Sequence, residues 1–249
     1  MRELDGRTAL VTGASRGIGS VIARELGARG AFVLVHYGTD ERGALTTVEA
    51  IQRGGGAASP VRAELGVDGD VDALFDGVDR GLDILVNNAA APPAGSLADT
   101  PRAAFDRLFA VNVRAPYFIV QRALERMPDG GRIINLSSVA TRFATPAQTS
   151  FAMTKASVET MTLSLANELG SRGITVNAVA PGPTRTATNR AVFEAPGVVE
   201  QITSLTALGR LGAPEDIADV VAFLASDAGR WVTGQVIDAS GGLFLGPRV

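Results

Sequence analysis

The stretch TALVTGASRGIGSVIARELGARG, residues 8–30, decides how the rest of the chain folds. Thr8–Thr12 is a short, largely apolar run, the pattern of a strand covered on both faces. Gly13, Gly17 and Gly19 follow at once, and a helical run follows them. Glycine permits the tight turn and lets the backbone approach a pyrophosphate closely. The helix behind the turn presents free N–H groups to negative charge. Ser15, Arg16 and Ile18 sit among these glycines, so residues 13 and 15–19 are the candidate dinucleotide contacts. The competing reading is a Gly-rich turn with no ligand, and the strand before and helix after weigh against it.

Working outward, short β-branched runs alternate with longer amphipathic ones. The strand candidates are Thr8–Thr12, Phe32–His36, Asp83–Asn87, Arg132–Ser137, Thr175–Ala180 and Gln235–Ala239, with a weaker one near Val61. In the clearest helix, Val158, Met161, Leu165 and Leu169 line one face, and Gly170 and Gly173 supply stop signals. RGGGAAS, from Arg53, is short enough for a helix-to-strand loop. The alternation predicts an α/β protein: one Rossmann-type domain over residues 1–249, a doubly wound parallel sheet flanked by helices.

Totals exclude several chemistries. The chain has 249 residues, 46% hydrophobic and 20% charged, with net charge −3. That balance predicts no phosphate-tracking surface for nucleic acid. There is no cysteine, hence no disulfide and no thiol nucleophile, and the single histidine, His36, rules out a His-based triad or a multi-His metal site. No run reads as a signal region or a membrane span, so a cytoplasmic protein is expected.

The end of the second strand tests which dinucleotide fits. An NAD ribose usually meets an Asp or Glu there. Here His36, Tyr37 and Gly38 occupy that place, while Arg16 stands in the Gly-rich turn, where a guanidinium attracts a 2′-phosphate. NADP(H) is therefore expected over NAD(H), with Tyr37 beside the adenosine end. Asp40 and Glu41 lie close behind and would serve a ribose if the loop curls.

At this point the motifs accumulate: TGASRGIG, DILVNNAA, NVRAPYF, RIINLSSVA, FAMTK, NAVAPGPTRT and GRLGAPEDIADVVAFLASD with VTGQVIDASGG, in that order. In this the chain resembles the short-chain dehydrogenase/reductase family over nearly its whole length. The resemblance implies a Rossmann fold, a nicotinamide cofactor and homo-oligomers, often tetramers. It implies that Asn87 and Ala89 pack beside the adenine ribose, and that Asn112 supports the catalytic lysine through water. Ser138 would orient a substrate carbonyl. Lys155 would bind the nicotinamide ribose and lower a tyrosine pKa. Pro181, Gly182, Thr184 and Thr186 would flank the nicotinamide.

Three positions depart from the family pattern. Ala90 replaces a glycine. Glu64-Leu65 stands where an Asp followed by an apolar residue is common, and the helix after it looks short. Phe151, thirteen residues after Ser138 and four before Lys155, occupies the position of the family's catalytic tyrosine. A helix puts positions 151 and 155 on one face. Phenylalanine fills the ring's volume but carries no proton, and positioned acid–base groups contribute roughly 10²–10⁴-fold. The only tyrosines, Tyr37 and Tyr117, are expected elsewhere. Three readings follow: a carbonyl reductase with its acid removed, a hydride-only imine or iminium reductase, and a non-catalytic NADP(H)-binding subunit or redox-neutral relative.

The segment from Pro183 to Leu205 is expected to cover the nicotinamide loop. Phe193, Val198, Val199, Ile202 and Leu205 give it apolar surface, and Phe143 and Arg142 edge the pocket. Arg185 and Arg190 could meet an anionic group, though solvated loop arginines are commoner. The implied substrate is small to medium and largely apolar. Apolar faces at Ala115–Leu124 and Val158–Leu169 suit a second subunit or internal packing.

Overall fold

The structure, a computed structural model, describes residues 2–246. Seven strands form one sheet in the order β3-β2-β1-β4-β5-β6-β7. They are β1 (Thr8–Val11), β2 (Phe32–Tyr37), β3 (Ala57–Arg62), β4 (Ile84–Asn87), β5 (Arg132–Leu136), β6 (Thr175–Pro181) and β7 (Val236–Ala239). Every pairing is parallel, with Val11 beside Val35 and Val86. This is the expected doubly wound, Rossmann-like sheet.

Period-two alternation explains why both faces are covered. Ala9, Val11, Val33, Val35, Ile84, Val86 and Ile134 face one core, shared with Ile22, Leu26, Ile217 and Val221. Those partners lie on α1 (Gly17–Ala28) and α9 (Pro214–Ala225). Leu10, Leu34, Leu85, Ile133 and Val176 face the other core, with Leu74, Ile119, Val120 and Ala166. These belong to α3 (Asp70–Asp76), α5 (Ala115–Ala123) and α6 (Thr149–Leu169). At about 25 cal/mol per Å², each fully buried Leu or Ile contributes about 1.5–3 kcal/mol.

The weak strand near Val61 is β3, an edge strand, which is why it tolerates Pro60. The loop after α2 (Glu41–Arg53) is Gly54–Gly56. Asp40 starts α2 by accepting a hydrogen bond from Gly43 N–H at 3.0 Å. Gly173 sits in left-handed backbone (φ +64°) after α6. The helix after Glu64-Leu65 is short, seven residues. The remaining helices are α4 (Arg102–Phe109), α7 (Arg190–Phe193) and α8 (Val198–Ser204). Among the described residues, no helix is long and apolar enough to cross a membrane.

Candidate active site

Strand order reverses between β1 and β4, and the loops leaving those strands open the crevice where such sheets bind ligands. The two loops are tied together. Thr12 Oγ1 accepts from the N–H groups of Asn88 (2.9 Å) and Ala89 (3.0 Å). Asn88 Nδ2 donates to the carbonyls of Thr12 (2.8 Å) and Gly13 (3.0 Å). Neither Thr12 nor Asn88 stands out in the sequence, because their role is to bridge loops 75 residues apart.

The glycines differ in what they permit. A Cβ on Gly19 would lie 2.3 Å from Asn88 Nδ2 and 2.4 Å from the Gly13 carbonyl. One on Gly13, at φ +64°, would meet Ala89 Cα at 2.9 Å. Gly17, at φ +59°, has nothing nearer than Thr186 at 3.8 Å. The turn therefore packs tightly inward and is open outward. Outside it lies a cleft of about 640 Å³ lined by Gly17, Ser20, Arg24, Thr186 and Phe193. Ser15 is half-buried and Ile18 packs onto the core. Helix α1 has no side-chain cap and no acid in its first turn, so its first N–H groups are available to an anion. This cradle fits a pyrophosphate.

At the end of β2, Tyr37 is buried and its hydroxyl donates to Glu41 at 3.3 Å. Arg16 Nη1 lies 3.6 Å from Asp40 Oδ2, and its side chain is 66% exposed. An exposed pair of this kind holds by about 0–1 kcal/mol. Arg16 is thus weakly latched at the cleft rim.

The second cluster surrounds α6. Lys155 is fully buried at the sheet end, where its Nζ donates to the Leu136 carbonyl at 2.7 Å. Burial pushes its pKa down to about 8. One turn earlier, the Phe151 ring centroid is 5.5 Å from that Nζ, within cation–π range. Tyr37 faces Glu41, and Tyr117, half-exposed on α5, packs edge-on against Phe118. No hydroxyl of either tyrosine serves Lys155.

Asn112 sits in a π-helical turn, Ala110–Arg114, a distortion frequent at functional sites. Its Oδ1 accepts from Ala91 N–H at 2.7 Å and its Nδ2 donates to Thr154 Oγ1 at 3.2 Å. It thereby joins the loop after β4 to the residue preceding Lys155. Asn87 Nδ2 donates to Asn135 Oδ1 at 2.9 Å, while Asn87 Oδ1 is buried without a partner. A cavity of about 10 Å³ lies among Asn87, Ala89, Asn112 and Lys155.

The serine pair divides its work. Ser137 Oγ donates to Glu159 Oε1 at 2.6 Å, and Thr141 Oγ1 donates to the same oxygen at 2.9 Å. Ser138 Oγ accepts from Ala140 N–H at 3.2 Å and stays partly accessible. Glu159, which the sequence reading passed over, holds the turn that carries Ser138. Arg142 turns away to β7, where it pairs with Asp238 at 3.2 Å, and Phe143 packs on Phe244 at 4.6 Å.

At the end of β6, Pro181 pairs with Ala239, and a Cβ on Gly182 would meet Ser240 at 2.8 Å. Thr184 Oγ1 donates to the Gly182 carbonyl at 2.9 Å. Thr186 N–H donates to Asn189 Oδ1 at 2.8 Å. Thr186, Arg185, Arg190 and Phe193 line the same cleft as Gly17, so the segment after β6 faces the phosphate turn.

An open parallel sheet, a glycine cradle at its switch point and a buried helix lysine beside a serine-bearing turn define a Rossmann-like oxidoreductase scaffold. A family model described as enoyl-(acyl carrier protein) reductase matches residues 13–244. An uncharacterized oxidoreductase of Methylorubrum extorquens is 42% identical over 98% of this chain and 100% of its own. The solved structure of the angucycline C-6 ketoreductase LanV with bound NADP is 52% identical, with TM-score 0.94 over 98% of each chain. LugOII, a promiscuous reductase of lugdunomycin biosynthesis that catalyses keto-reduction at C1, is 51% identical with TM-score 0.94 over 98% of this chain and 100% of its own. The chain belongs to the short-chain dehydrogenase/reductase family, among its reductases.

Proposed function

We propose that this protein is an NADP(H)-binding ketoreductase scaffold of the short-chain family whose proton-donating position is filled by Phe151. The carrying observation is the contact between Phe151 and Lys155, 5.5 Å apart at the site where a hydroxyl would be needed. The dinucleotide supplies hydride when bound. Gly13 shapes the turn, Ser15, Arg16, Gly17, Ile18 and Gly19 hold the dinucleotide's phosphates, and Tyr37, Asn87 and Ala89 lie at the adenosine end. Lys155 binds the nicotinamide ribose, and Pro181, Gly182, Thr184 and Thr186 border the nicotinamide. Ser138 orients the substrate carbonyl and Asn112 steadies α6 under Lys155. The substrate is an apolar ketone, in the angucycline class by analogy with LanV.

NADP(H) is preferred over NAD(H), a reading supported by Arg16 and by the absence of a carboxylate at positions 36–38. Residues 183–205 cover the substrate, and the whole acts as one domain. The protein is cytoplasmic and assembles as a homo-oligomer, most simply a tetramer, through the faces bearing exposed Tyr117, Phe118 and Leu163. Light scattering that found a stable monomer at micromolar concentration would remove that part.

Fluorescence titration with NADPH, followed by turnover of apolar ketones before and after Phe151→Tyr, tests the main reading. A chain that binds NADPH and gains ketone reduction with the hydroxyl supports it. A chain that already reduces cyclic imines, and gains nothing, points to the hydride-only reaction. That second reading faces a like-charge neighbour, because an iminium on the Phe151 ring would sit beside the Lys155 ammonium. Tight NADPH binding with no turnover in either variant points to a binding subunit.

A further inference from the structure

His36 is the only histidine in the chain and is 2% exposed. It belongs to none of the roles above, yet it grips the phosphate turn twice. Its ring Nδ1 accepts from Gly13 N–H at 3.0 Å, and its backbone carbonyl accepts from Ala14 N–H at 2.8 Å. On the far side of the ring, Nε2 lies 2.9 Å from the Ala63 carbonyl.

These partners fix the tautomer. An amide N–H requires a lone pair on Nδ1, and a carbonyl requires a proton on Nε2. The ring is therefore neutral with its hydrogen on Nε2, and both nitrogens are used. Burial agrees with this, lowering the pKa to about 4. The turn is held from a second side as well, since Thr47 Oγ1 on α2 donates to the Ala14 carbonyl at 3.1 Å. Gly13 and Ala14 thus spend their amides on His36. The N–H groups left for an anion are those further along, at the start of α1.

We infer that His36 is a positioning residue for dinucleotide binding: its ring is the post that sets where Gly13, and hence the mouth of the phosphate cradle, stands relative to β2 and the end of β3. This rests on the NADP(H) reading. An apolar side chain of similar size would fill the space but orphan the Gly13 N–H and let the turn shift. Asparagine at the same position restores an acceptor near the Nδ1 place without the imidazole.

The test compares NADPH dissociation constants and thermal midpoints for the wild-type protein, His36→Leu and His36→Asn. His36→Leu should bind NADPH about 5–10-fold more weakly, the scale of one ordinary hydrogen bond. His36→Asn should recover to within about threefold of wild type, even if its midpoint stays as low as that of His36→Leu. A structural filler would instead make affinity track the thermal midpoint, with no rescue by asparagine. Equal NADPH affinity in wild type and His36→Leu overturns the inference. Failure of the wild type to bind NADPH overturns the cofactor reading itself, and the inference with it. Should His36→Leu not fold, long-range nitrogen NMR of the wild-type imidazole decides. The Nε2–H tautomer, with a Gly13 amide shift that moves on NADPH addition, supports the role. An Nδ1–H tautomer or a protonated ring at neutral pH removes it.

Discussion

The Lys155 ammonium donates to the Leu136 carbonyl at 2.7 Å and faces the Phe151 ring from 5.5 Å. An ammonium lowers the pKa of a hydroxyl beside it by favouring the anion, and here the neighbour is a hydrocarbon. The charge has one carbonyl and one π-face for company.

Placing a hydroxyl at position 151 is the first test. Phe151→Tyr should raise NADPH-dependent reduction of apolar ketones by about 10²-fold or more, the scale of a positioned general acid. NADPH affinity should hardly move, because the contacts proposed for the cofactor come from Lys155 and the loops. Equal ketone turnover by the unaltered protein and the tyrosine variant would overturn the argument about position 151.

Lys155 should also cost stability. Its pKa is about 8 in the fold against 10.5 for the free group, so below pH 8 both folded and unfolded chains carry the charge, and the fold bears the full desolvation cost. Between 8 and 10.5 the unfolded chain holds more protons, and this group's contribution to stability rises with pH. Lys155→Met should therefore raise the cofactor-free thermal midpoint at pH 7 by roughly 2–4 °C for each kcal/mol relieved. The gain should shrink as pH climbs through that interval. A lower midpoint at pH 7 would mean that the Leu136 and Phe151 contacts outweigh burial.

Arg16 supplies a specificity test with two arms. Arg16→Ala should narrow the preference for NADPH over NADH without unfolding the chain. Asp40→Asn should widen it, since it removes the 3.6 Å partner of Arg16 while asparagine still caps α2. If Asp40→Asn leaves the NADPH-to-NADH affinity ratio unchanged, the latch has no influence on the cofactor.

The two helix-start glycines should respond differently to alanine. Gly19→Ala drives a methyl to 2.3 Å from Asn88 Nδ2 and 2.4 Å from the Gly13 carbonyl, so the turn must shift. A destabilisation of about 1–3 kcal/mol is expected, with loss of NADPH binding. Gly17→Ala meets only Thr186, at an ordinary contact distance of 3.8 Å, and its cost is confined to backbone strain at φ +59° and to the cleft side of the turn. Denaturant midpoints for both variants check the order.

Glu159→Ala, made together with Phe151→Tyr, should leave Ser137 and Thr141 without their shared acceptor and loosen the Ser138 turn. The expected signature is a fall in ketone kcat with little change in NADPH affinity. Rescue by Glu159→Gln, which keeps an acceptor oxygen, would separate positioning from simple packing.

The sequence by itself determined the layout, because local chemistry dictates it. Nearly continuous apolar runs such as Ala9-Leu10-Val11, closed by turn glycines, read as strands covered on both faces, and the glycines at 13, 17 and 19 read as a tight turn into a helix. The four-residue spacing of Phe151 and Lys155 was equally readable, since helical periodicity puts them on one face. What the sequence left open depends on partners far along the chain. Which serine of the pair is available was decided by Glu159 taking Ser137, 22 residues away. The support of Asn112 became a hydrogen bond to Thr154, across 42 residues. Arg142, expected at the pocket edge, was drawn to Asp238 on a strand nearly a hundred residues later. And His36, in the sequence merely the residue standing where an acid was expected, became the post of the phosphate turn once β1 and β3 closed on either side of it. A hydrogen bond needs an angle and a distance of about 3 Å, and only the packed sheet supplies both between residues so distant in sequence.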